Sequence, residues 1–85
     1  IEIKTGTVSV SDLRGYGTKN FDITFSFTHN ASNTEQIKLL VTSGCSKFVI
    51  PRVDGLSTTG ATIRIKNTEL ATSSGEIYWV AIQIW

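Results

Sequence analysis

A chain of 85 residues with net charge +1, 40% hydrophobic and 18% charged, fits one globular domain (1–85) and excludes a disordered linker or a charged tail. Its eight basic residues are scattered and offset by seven acidic ones, which argues against a nucleic-acid partner. No apolar run approaches the ~20 residues of a membrane helix and no signal-peptide pattern opens the chain, so no membrane insertion is expected.

The first predicted strand is "IKTGTVSV", where Gly6 interrupts the alternation as a bulge does. "SDLRGYGTKN" reads as a loop. In "FDITFSFTHN", Phe21, Ile23, Phe25 and Phe27 alternate with Asp22, Thr24, Ser26 and Thr28, the pattern of a half-buried strand. After the turn-rich "NASNT", the segment "EQIKLLVTSG" repeats that pattern with Ile37, Leu39 and Val41 inward. "KFVIPRV" is apolar, and Pro51 assigns it to an edge or a bend because proline cannot donate to a ladder. "ATIRIKN" sets Ala61, Ile63 and Ile65 against Thr62, Arg64 and Lys66. No segment shows helical periodicity, so the fold class expected is all-β: a small six-stranded antiparallel β-sandwich.

The closing "GEIYWVAIQIW" differs from the other strands. Ile77, Trp79, Ala81, Gln83 and Trp85 share one face, while Tyr78, Val80, Ile82 and Ile84 share the other, and both faces are apolar. Two arrangements cover the second face: another copy of the chain, or a long loop folded over a central strand. The single Cys45 makes no internal disulfide, which leaves stability to be shared with neighbouring chains. The chain starts at Ile1 and contains no Met, so it is expected to be the terminal domain of a longer protein.

Four pieces together resemble the H-type lectin domain of snail and slime-mould agglutinins and of related bacteriophage tail proteins. They are "TGTVSV", the Ile23-x-Phe25 pair, the "TTGA" turn before Ala61, and above all the terminal "IYWVAI". The resemblance spans the whole chain. It implies a parallel homotrimer with Tyr78, Trp79, Val80 and Ile82 at the subunit interface. The family's sugar site pairs an aromatic with a His, at positions matching Thr68 and Glu69, and its ligand-binding Arg falls near Phe48, with Lys47 beside it. Neither Thr68 nor Glu69 can stack on a sugar, the usual Pro-Pro before the third strand is missing, and Ala61 replaces the usual Phe after "TTG". These departures suit the phage tail branch. The resemblance therefore carries the fold and the trimer, and leaves the galactosamine specificity behind.

Catalytic chemistry has little support: with one His, one Cys and no paired carboxylates, no nucleophile and base are spaced to cooperate, so no enzyme and no cofactor are expected. His29 falls inward by parity at a strand end. It reads as a structural histidine, with a ring of three copies on a trimer axis as the metal-binding alternative. Cys45 reads as an inert small residue, Lys47 being the one local cation able to activate it. "RGYG" is the most suggestive loop, with Tyr16 an amphipathic ring on a freely bending backbone and Asp12 and Arg14 adding an acceptor and a cation. If the resemblance holds, this loop faces Asn67 to Ser73 of a neighbouring copy. The candidate cleft then comprises Asp12, Arg14, Tyr16, Lys47, Asn67 and Glu69. The function expected is a cell-surface carbohydrate- or receptor-binding tip of a phage tail fibre on the virion exterior; the alternatives are a trimerisation cap without a ligand and a secreted lectin.

Overall fold

In the computed structural model, which describes residues 1–85, the period-two segments form six strands. These are β1 (Glu2–Leu13), β2 (Thr18–Thr24), β3 (Ile37–Ser43), β4 (Val49–Leu56), β5 (Gly60–Asn67) and β6 (Ser73–Gln83). They make two three-stranded antiparallel sheets, β1-β6-β3 and β2-β5-β4, whose inner faces enclose one core. The central strands supply its floor and ceiling: Ile63 and Ile65 from β5, and Ile77 and Ala81 from β6, are fully buried. Each buried isoleucine contributes about 1.5–3 kcal/mol relative to exposure. Pro51 lies on β4, an edge strand, where no neighbour asks for the missing N–H.

Three expectations are corrected. Gly6 is no bulge: the β1–β6 register runs unbroken from Glu2 to Val10 and slips only between Val10 and Leu13, where Asp12 takes φ 52°. Gly6 instead stands opposite Trp79, and a Cβ there would meet the indole at 2.5 Å. The missing side chain makes room for the indole. β2 stops at Thr24, yet Phe25 and Phe27 remain buried. The chain leaves the ladder but keeps its alternation: the Phe25 N–H donates to Thr59 O at 2.9 Å, and its ring packs 5.6 Å from Phe27 and 6.1 Å from Trp79. β3 begins at Ile37, because Thr34–Gln36 form a 3-10 turn capped by Asn33, with Gln36 reaching back to the Asn33 and Ser32 N–H groups.

The 25–33 segment is tied to β1 through Glu2, whose carboxylate accepts the Thr28 N–H at 2.9 Å and the Thr28 hydroxyl at 3.2 Å, with Lys4 Nζ at 3.4 Å. The Thr28 N–H, ahead of Lys4 and the hydroxyl, holds the Glu2 pKa below its usual 4.5. A depressed carboxylate pKa means that this clasp is intact above the unfolded value and is lost as pH falls through the folded one. The Thr28 amide is therefore expected to titrate by NMR with a midpoint below 4.5, and Glu2→Gln is expected to abolish the titration. An amide shift that stays flat down to acid unfolding would contradict the clasp.

β6 resolves into two faces. Ile77, Trp79 and Ala81 point into the core, with Gln83 donating to His29 O at 2.7 Å. Tyr78, Val80 and Ile82 point outward, in register with Thr7, Thr5 and Ile3 of β1 and with Thr42, Leu40 and Lys38 of β3. Trp79, assigned by resemblance to the subunit interface, is 8% exposed and belongs to the core. It stacks inward because Gly6 leaves the space there. No loop of the chain folds over the outer face: Leu40 is 60% and Tyr78 42% exposed.

Candidate functional site

The topology brings three connections to one end of the sandwich: Arg14–Gly17, Gly44–Phe48 and Thr68–Thr72. The last is the hub. Asn67, at the end of β5, is fully buried, and its amide nitrogen donates to Leu13 O and Arg14 O at 3.2 Å and to Ala71 O at 2.7 Å. Its Oδ1 accepts the Glu69 N–H at 3.0 Å. The backbone strengthens the join, with the Tyr16 N–H donating to Glu69 O and the Asn67 N–H to Gly17 O. Gly15 packs so closely on the Leu70 carbonyl that no side chain fits between them.

The Gly44–Phe48 connection is held from the other side. Phe48 N–H donates to a Glu69 carboxylate oxygen at 2.7 Å, and Phe48 O accepts from the Thr68 N–H and hydroxyl at 3.0 and 2.6 Å. The Lys47 N–H donates to the buried Ser73 hydroxyl at 3.1 Å, and the Ser46 N–H to Ser74 O at 2.8 Å. Every loop backbone is thus pinned, and the exposed side chains stand on a rigid base.

Of the sequence-predicted residues, Asp12, Arg14, Tyr16, Lys47, Asn67 and Glu69 all lie at this end, but their roles divide. Asn67 has no polar atom left for a ligand and acts as the internal fastener. Glu69 keeps one carboxylate oxygen free of protein partners. Asp12 uses its N–H on Ser74 Oγ at 3.1 Å and its side chain is exposed, as is that of Arg14; neither forms an ion pair. Within the chain the "RGYG" turn packs against Asn67 to Leu70.

Tyr16 is 59% exposed and sits at φ 57°. With Asp12 it is one of two non-glycine residues in the left-handed region, and both border this end. Holding tyrosine there costs about 1 kcal/mol, strain of the kind that collects at functional sites. The sequence marks Phe48 only as the position of the family's ligand-binding Arg and leaves it out of the candidate cleft, yet Phe48 precedes β4 and is 67% exposed. The signal was parity, since Val49 inward puts Phe48 and Ile50 outward.

Beside Phe48 a groove of about 630 Å³ opens between the edges β3 and β4, floored by Val41 and Val49 and rimmed by Lys47, Phe48 and Glu69. Cys45 lines it half-buried against the core. An aromatic face, an ammonium and a carboxylate around a shallow groove can stack on a sugar ring and bond its hydroxyls; they offer no nucleophile–base pair. His29 lies exposed at the opposite end, and no three His, Cys, Asp or Glu side chains cluster to hold a metal. No family model matches the sequence, and no curated protein or solved structure matches it.

Proposed function

We propose that the chain is an H-type lectin-like domain acting as the homotrimeric tip of a bacteriophage or prophage tail fibre, binding a bacterial cell-surface carbohydrate through its loop end. The observation that carries this reading is the juxtaposition of exposed Tyr16 and Phe48 with Lys47 and Glu69 on loops pinned by Asn67 and Ser73. Two three-stranded antiparallel sheets agree with the fold that the resemblance implies, and the outward apolar face of exposed Tyr78 and half-buried Val80 and Ile82 suits burial against another copy. Three shallow sites on one rigid fibre bind a repeating surface glycan together, so modest affinity at each becomes firm attachment. The reading puts the domain on the virion exterior and assigns it no reaction.

The missing aromatic-His pair at Thr68 and Glu69 favours a second reading, a fibre cap that registers three chains and binds nothing. A glycan array probed with the domain separates the two. Binding is expected, with Phe48→Ala and Tyr16→Gly each weakening it about tenfold, the loss of one stacking contact of about 1.4 kcal/mol. Tyr16→Gly is also expected to keep or raise the melting temperature, because glycine relieves the left-handed strain. An array silent for the parent domain, or binding indifferent to both variants, favours the cap.

A further inference from the structure

The outer face of β2-β5-β4 carries charges placed against folding. The register sets Arg52 of β4 directly opposite Arg64 of β5, and Lys66 follows two residues on along the same face, opposite Ile50 and Thr18. Like charges directly opposed across a ladder destabilise a sheet. Relief is partial: Asp54 takes the Arg52 guanidinium at 2.7 Å, whereas neither Arg64 nor Lys66 has an ion-pair partner. The other acid on this face, Asp22, accepts the Thr62 hydroxyl at 2.8 Å. Around the cations lies a groove of about 460 Å³ whose remaining walls include the Thr18 side chain and Ile50.

This groove is not isolated. Ile50 also lines the groove beside Phe48, so the two depressions adjoin along β4. Outward residues follow one another down that edge as Phe48, Ile50 and Arg52: an aromatic face, an apolar step, then a cation. A single sugar ring reaches one depression, and a chain of sugars reaches both. We infer that the ligand of the loop end is an acidic polysaccharide, one ring stacking at Phe48 and the chain running along β4 to set its carboxylates against Arg64 and Lys66, the cations that no acid of the chain pairs. The planar guanidinium of Arg64 matches a carboxylate in two-point hydrogen bonding, Lys66 adds a second charge, and the Thr18 hydroxyl is available to a sugar hydroxyl. Bound carboxylates also neutralise the opposed arginines, so the ligand removes a repulsion that the free sheet endures. This inference rests on the loop end being a glycan site and adds the class of glycan.

The test uses a panel of acidic oligosaccharides bearing galacturonate, glucuronate or sialic acid, each paired with its carboxyl-reduced counterpart and titrated into the domain by calorimetry. At least one acidic member is expected to bind about tenfold tighter than its reduced partner at low salt, with the preference shrinking as salt screens the face. Arg64→Thr with Lys66→Thr is expected to erase that preference while leaving binding of the reduced form unchanged; Phe48→Ala weakens both forms. The double variant should melt no lower than the parent, since it removes opposed like charges, which separates lost binding from lost folding. Equal binding of acidic and reduced members, or a preference that survives the double variant, overturns the inference and leaves the loop-end glycan reading standing. Binding of no member overturns the acidic class and returns the loop end to the array. Equal binding of polyglutamate shows attraction to any polyanion and overturns the saccharide assignment.

Discussion

Asn67→Leu is expected to lower the stability of the domain by about 3 kcal/mol or more, although leucine keeps the branched heavy-atom shape of asparagine and is more apolar. The fully buried carboxamide serves four backbone groups from distant parts of the chain: the carbonyls of Leu13, Arg14 and Ala71 and the N–H of Glu69. Each group left unpaired away from water costs about 1–3 kcal/mol, and the loops can rehydrate only part of the set without separating. For a domain of this size each kcal/mol moves the melting temperature by about 4–8 °C, so a fall of roughly 12 °C or more is expected. The proposed glycan binding is expected to fall with it, because the Tyr16 turn and the Glu69 hub come apart. Asn67→Asp is expected to fare no better: it keeps the acceptor for Glu69 but turns a carboxylate oxygen toward three carbonyls. A change below about 1 kcal/mol in denaturant unfolding would show that the loops do not depend on this fastener.

The second large effect belongs to the pair Gly6 and Trp79. Trp79→Ala removes most of a buried indole that packs on Phe25 and is expected to cost about 3–5 kcal/mol. Gly6→Ala drives a methyl into that indole and is expected to cost about 1–3 kcal/mol, despite the better strand propensity of alanine. The informative experiment is the cycle. With Trp79→Leu in place, the obstructing ring is gone, and Gly6→Ala should become neutral or stabilising, a coupling of about 1 kcal/mol or more. Additive effects would mean that Gly6 is required for some other reason.

Much of the sheet architecture was legible, because a half-buried strand writes its inner face into every second residue. Ile37, Leu39 and Val41 and then Ile63 and Ile65 point inward as the alternation requires, and Pro51 reports its edge. What failed was local and had local causes. Gly6 imitates a bulge because a missing side chain looks the same whether it frees the backbone or accommodates a ring from the next strand. The true bulge at Ser11 and Asp12 hides among turn-forming residues. Asn33 and Gln36 spell a capping box, but the sequence pattern divides them between the turn "NASNT" and the start of the strand "EQIKLLVTSG". At the loop end the sequence named connections that the fold does bring together, since Gly15, Tyr16 and Gly17 advertise a bend and an exposed ring. It did not distinguish fasteners from contacts: Asn67 is polar like its neighbours, and only the convergence of three remote carbonyls reveals it as interior. Phe48 sits in the apolar run "KFVIPRV", whose strand begins only at Val49.

The proposed function depends on the outer face of β1-β6-β3, where Tyr78 and Leu40 lie open beside the half-buried Val80 on a single chain. Light scattering on a sizing column across a dilution series tests it directly. A mass three times the 9.3 kDa of one chain is expected, holding on dilution and falling to one chain when Leu40→Glu and Val80→Glu place charge on that face. A folded species of 9.3 kDa at every concentration would contradict the trimer, and with it the shared, multivalent attachment.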